Sequence, residues 1–174
     1  MLDLLSEEPD LLEKTDSIDL RLPRPNFELV GNPFRPQDDP RVSAQFSVAY
    51  TVALALRHGG VQIDDFDADR IRGDQETQKL ADSIRVTAND EGYHQVHLRL
   101  SDGSTRKRRV KALKGTPERP LNRMEKRRKI DDALRNIEAH SGDPSLADIV
   151  QNVPDEGIGA LTEWLRSIRT TADR

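Results

Sequence analysis

At 174 residues the chain has room for one ordinary domain with an added tail, which excludes a large two-domain enzyme. Hydrophobic residues make up 34%, aromatics 4% and charged residues 33%, so the core must be small and mainly aliphatic; the absence of cysteine excludes disulfides, thiolate nucleophiles and cysteine-based metal sites. The net charge of −4 conceals a split, because residues 104–129 hold twelve Lys and Arg against Glu118 and Glu125, making that segment +10 and the remainder −14.

Residues 1–16 are acidic, with paired leucines and Pro9, and are expected to form an N-terminal segment, frayed or disordered, outside the core. The start MLDLLSEEPD has acids where a secretory signal needs basic residues, and no apolar run approaches a membrane span; a cytoplasmic protein with no membrane contact is the expectation. Residues 17–22 alternate, Ile18, Leu20 and Leu22 against Asp19 and Arg21, which predicts a half-buried strand ended by Pro23 and Pro25. Residues 31–40 hold too many breakers for a helix or central strand. Residues 42–56 are the most apolar stretch and predict one central, nearly buried helix stopped at His58-Gly59-Gly60. Its polar groups, Ser47, Tyr50 and Thr51, then need partners or a cavity. A further helix is predicted over 75–82 with Asp74 as its N-cap.

Strands are predicted at 84–88, 96–100 and 105–112, the last two joined through Asp102-Gly103, a hairpin signal. The order of elements predicts an α+β fold, a two-layer α/β sandwich with a mostly antiparallel sheet, followed by a helical tail. The boundaries are 1–16 for the acidic segment, 17–115 for the α+β domain and 116–174 for the helical segment. In the tail, Leu121, Met124, Ala133, Leu134 and Ile137 suggest one helix, Asp143-Pro144 opens a second, and Pro154 opens a third with Ile158, Leu161, Trp164, Leu165 and Ile168 inward.

Common catalytic signatures are absent: the chain has no GxSxG, GxxxxGK, GxGxxG or HExxH. His94 and His97 are three apart on a strand, which places them on opposite faces, unable to share a metal. His58 and His140 sit where an imidazolium can answer the carbonyls of a helix end. The basic run Arg106-Lys107-Arg108-Arg109 reads as a solvated face whose partner charges lie on the acidic remainder. No aromatic interleaves with it and the pI is near 5.6, which argues against nucleic acid as a partner.

The segments Leu29-Val30-Gly31-Asn32-Pro33 and Ala44-Gln45-Phe46-Ser47-Val48-Ala49-Tyr50, followed by Ala53, Leu56, Gly59 and Phe66, resemble the C-terminal lid domain of the MmgE/PrpD family, as does the Leu100-Ser101-Asp102-Gly103 hairpin. That family includes 2-methylcitrate dehydratase, cis-aconitate decarboxylase and iminodisuccinate epimerase, lyases and isomerases of small polycarboxylates that generally need no metal. The resemblance implies a large helical domain facing this lid across a substrate cleft, with no cofactor. It further implies that Tyr50 presents its phenol to the substrate and that Ser47, one turn earlier, contributes to substrate binding. The bland alternative for Tyr50 is a core residue with its hydroxyl bonded to nearby backbone. The family's acid/base groups in the helical domain, and the lysine- and histidine-bearing stretch that opens the lid, have no counterpart in these residues. The expected assembly is a homodimer or a hetero-complex with a helical MmgE/PrpD N-terminal domain; the competing expectations are an interaction module that keeps the lid fold without catalysis and, ranked below it, an anion- or nucleic-acid-binding domain.

Overall fold

A computed structural model describes residues 4, 7–36, 39–141, 149, 158–159 and 162–163, with side chains of the last helix described through 133. In chain order the elements are β1 (Thr15–Pro23), α1 (Arg24–Val30), α2 (Pro40–Gln45), α3 (Val48–His58), a 3-10 turn (Ile63–Phe66), α4 (Ala68–Gly73), α5 (Gln75–Ser83), β2 (Ile84–Asn89), β3 (His94–Leu100), β4 (Thr105–Val110) and α6 (Arg123–Ser141). The chain divides into two compact units, Met1–Leu113 and Lys114–Arg174.

The first unit is the expected α+β fold. Its strands lie in the order β2-β1-β3-β4, with β1 parallel to β2 and the other two pairs antiparallel. Alternation sorts the side chains: Ile18, Leu20, Leu22, Ile84, Val96, Leu98 and Leu100 are buried, whereas Arg21, Arg85 and Arg99 between them are exposed. The buried face packs against Ala49, Tyr50, Ala53, Leu54 and Leu56 of α3, Ile71 of α4 and Ala81 of α5, giving one aliphatic core. His94 and His97 fall on opposite faces of β3, as a spacing of three demands.

Two expectations need correction. Residues 42–56 do not form one helix: α2 ends at Gln45, and Ser47 turns to an extended conformation with φ −115° and ψ 109°. The break has a local cause, because Ser47 pairs with Gly31 in an antiparallel bridge while its Oγ accepts the Tyr50 amide at 3.4 Å, starting α3 as its N-cap. The acidic N-terminal segment is not outside the core either. Leu4 and Leu11 are buried within it, Leu11 completely, and Leu12 packs against it.

Charge explains how so acidic a segment is held. On β4, Arg106 and Arg108 stand opposite Leu98 and Val96, on the helix-covered side, where they meet Glu8 and Glu7. Arg106 reaches Glu8 through two bonds of 2.8 and 3.2 Å, and Arg108 reaches Glu7 at 2.7 and 2.6 Å. The basic run thus divides by parity. Lys107 and Arg109 turn to the other face, where the Arg109 guanidinium donates to Gln95 Oε1 at 2.8 Å and lies 4.4 Å over the Tyr93 ring.

Helix α1 was not anticipated after Pro23 and Pro25, although proline is tolerated in a first helical turn. Gly31 ends it by donating to the Phe27 carbonyl at 2.7 Å, and a Cβ there would lie 2.5 Å from the Phe27 ring. Helix α5 begins at the expected cap, Asp74, one residue before Gln75.

The second unit contains α6, opened by a reciprocal capping box: Asn122 Oδ1 accepts the Glu125 amide at 2.9 Å and Glu125 Oε2 accepts the Asn122 amide at 3.0 Å. Met124 lies in α6, as expected, and is 79% exposed. The side chains of Leu134, Ile137 and His140, the helix expected from Asp143-Pro144, and Leu161, Trp164, Leu165 and Ile168 lie outside the described residues; Ile158 is exposed.

Candidate active-site cleft

Helix α3 carries the cleft. Tyr50, Leu54 and His58 are spaced by four and share one helical face, and they line a hollow of about 450 Å³ closed by Asp65, Arg70, Gly73 and Asp74. Its walls come from α3, the 3-10 turn, α4 and the start of α5.

Tyr50 is almost wholly buried. Its ring packs against Phe34 with centroids 4.3 Å apart and planes tilted by 32°. The two motif segments therefore interlock: the bridge between Gly31 and Ser47 fixes the backbone, and the Phe34–Tyr50 contact fixes the ring. Burial, reinforced by the negative charges of Asp74 and Asp65 and only partly relieved by Arg57, pushes the Tyr50 phenol up to about 12. At neutral pH it is a protonated donor. Ser47 is buried with Tyr50 and spends its Oγ on the Tyr50 amide, so in this structure it positions the first turn of α3.

Asp74 anchors the opposite wall. Its carboxylate accepts the Thr77 amide at 3.1 Å and the Thr77 hydroxyl at 2.6 Å, pairs with the Arg57 guanidinium, and lies 3.3 Å from His58 Nε2. Burial works to raise its pKa, but the bonds from Thr77, His58 and Arg57 outweigh that and hold the carboxyl at about 2. Asp74 is thus an anion under all physiological conditions, and it favours the His58 tautomer with the proton on Nε2, leaving Nδ1 as an acceptor. Arg70 lines the same hollow and forms no ion pair among the described residues, so its guanidinium can take a carboxylate.

The cleft therefore offers a neutral phenol, an imidazole backed by a fixed carboxylate and a guanidinium: a hydrogen-bond donor, a proton acceptor and an anion anchor. The sequence singled out Tyr50 and Ser47 but took His58 only as a helix cap. The four-residue spacing from Tyr50 was the available signal for it. Nothing local announced Arg70, which reaches the cleft only because the chain folds back after Gly59-Gly60. Among the described residues no group of three or more His, Asp or Glu can hold a metal ion, and no helix is long and apolar enough to cross a membrane.

Comparison with known proteins gives this geometry a family. No match was found among curated proteins. The model of the MmgE/PrpD C-terminal domain, however, matches residues 1–155, which takes in the N-terminal leucines, both interlocking motifs, the whole sheet and α6. Over that span the chain belongs to the MmgE/PrpD family, as its C-terminal domain.

Proposed function

We propose that this domain is the lid of an MmgE/PrpD-type lyase or isomerase, closing over a small polycarboxylate held against a helical MmgE/PrpD N-terminal domain, with Tyr50 facing the substrate. The observation that carries the reading is the union of the family match with a hollow whose lining includes Tyr50, a near-buried residue with a neutral phenol. A phenol kept protonated donates to a substrate carboxylate or to the oxyanion that develops on it when an adjacent proton is removed. Arg70 would anchor a second carboxylate, and His58, oriented by Asp74, would supply the lid's own acid/base group. Ser47 would act by setting the helix start that aims Tyr50; the hydroxyl is otherwise the second substrate contact that the resemblance implies.

A second, partly apolar hollow is consistent with the same reading. Val42 and Phe46, each about half exposed, line a second hollow with Arg35 and Asp39 on the outer side of α2. In the lid reading these two side chains would meet the helical domain. The competing reading, a lid fold kept for binding alone, predicts no turnover in any assembly.

The test is turnover of cis-aconitate, 2-methylcitrate and iminodisuccinate by this protein alone and in complex with a helical MmgE/PrpD domain. The lid reading expects activity toward at least one polycarboxylate in the complex and none from the 174 residues alone. Robust turnover by those residues alone would contradict it, as would an inert but fully assembled complex.

A further inference from the structure

The face of the sheet turned away from the Tyr50 cleft carries its own concentration of charge. Strand register places Arg85, Asp19 and His97 side by side on β2, β1 and β3, with Thr87 and Arg21 in the next row and Arg99 diagonal to Asp19. These six residues line a hollow of about 350 Å³. Asp19 is its only carboxylate, and it is already paired with Arg85. Arg21 and Arg99 form no ion pair among the described residues, so the hollow keeps two net positive charges with His97 neutral.

His97 adds a polar group to the lining. Its Nδ1 lies 4.0 Å from Asp19 Oδ2, while its Nε2 is buried and has no hydrogen-bond partner. Guanidinium groups that line one hollow repel one another, and an incoming anion relieves that repulsion. The neighbouring strand extends the field, since Lys107 is paired in register with His97 and Arg109 with Gln95 on the same face.

We propose that this hollow is a second binding site, for a compact multivalent oxyanion bearing phosphate or two to three carboxylates. Arg21 and Arg99 take it through their planar forks, Thr87 and His97 contribute neutral polar contacts, and Asp19 holds Arg85 at the rim. A compact anion fits better than an extended polyanion for two reasons. The cationic groups converge on one hollow rather than running along a groove, and among the described residues of this face no exposed aromatic offers a surface on which bases could stack. The site is independent of the proposed catalytic cleft, because the sheet stands between the two.

The experiment is isothermal titration of the full chain with inorganic phosphate and, separately, with citrate at constant ionic strength. The variants are Arg21→Gln, Arg99→Gln, His97→Gln and Tyr50→Phe. Saturable one-to-one binding of phosphate, citrate or both is expected, and which of them binds identifies the headgroup. Loss of one charge-assisted contact weakens binding roughly ten- to a hundredfold, so Arg21→Gln and Arg99→Gln should each do so while Tyr50→Phe leaves it unchanged. Both arginines are exposed, and circular dichroism of each variant separates a lost contact from a lost fold. No saturable binding of either anion would overturn the proposal, and so would binding indifferent to both arginines. Binding abolished by Tyr50→Phe would place the anion in the other cleft, and an oligonucleotide that outcompetes both anions with a steep salt dependence would make the face a polyanion surface instead.

Discussion

Two residues separate what Tyr50 does from what holds it. Ser47 starts α3, so Ser47→Ala should cost about 0.5–2 kcal/mol of stability, the usual range for a lost N-cap, read as a lower midpoint in denaturant. An unchanged midpoint would mean that the 3.4 Å bond to the Tyr50 amide contributes nothing. Asp74 ties α3 to α5, and its carboxyl is held at about 2, below the ordinary value of 3.8. A carboxylate whose folded pKa is lowered stabilises the fold fully above its unfolded pKa and loses that contribution as pH falls through the folded one. Stability should therefore decline between about pH 4 and pH 2. In Asp74→Ala that part of the decline should vanish, with thermal unfolding as the measure; an acid profile identical to the parent's would contradict the assigned bonds. Tyr50 has the opposite sign, since its raised phenol pKa means that stability falls as pH rises from 10 toward about 12.

At the level of elements, most strands were legible because alternation is a property of neighbouring residues: Ile18, Leu20 and Leu22 announce β1, and Asp102-Gly103 announces the β3–β4 hairpin. The helix break at Ser47 was not legible. Its cause is a bridge to Gly31, sixteen positions away, and local propensity ran straight through the site. The same holds for the N-terminal segment, whose acids looked like solvent-facing charge until β4 supplied Arg106 and Arg108 from the far end of the domain. That segment is now assigned to the core, and Leu11→Ala tests the assignment. Truncating a fully buried leucine costs about 2–5 kcal/mol, and the change should also speed proteolysis ahead of Thr15. A loss under about 0.5 kcal/mol, the scale of a surface change, would return the segment to the periphery.

For the whole molecule, the split between an acidic majority and a basic stretch is resolved within the fold on one side of β4 and left open on the other. Glu7 and Glu8 answer Arg106 and Arg108, whereas the sheet's far face keeps an excess of cations. The class of fold and the family could be read from the sequence, through periodicity and through the motif that contains Tyr50. His58 shares the Tyr50 face of α3 by helical spacing, whereas Arg70 and Asp74 reach the same hollow only through the fold, from elements that follow the end of α3 at Gly59. The central claim, that this domain covers a substrate with the Tyr50 phenol, is tested most directly by the kinetics of Tyr50→Phe in the complex with a helical MmgE/PrpD domain. Removing the hydroxyl keeps the ring against Phe34, so thermal stability should be nearly unchanged while kcat/KM falls roughly ten- to a hundredfold, the worth of a hydrogen bond to a charged group. An active complex whose kcat/KM is unaffected by Tyr50→Phe would contradict the account.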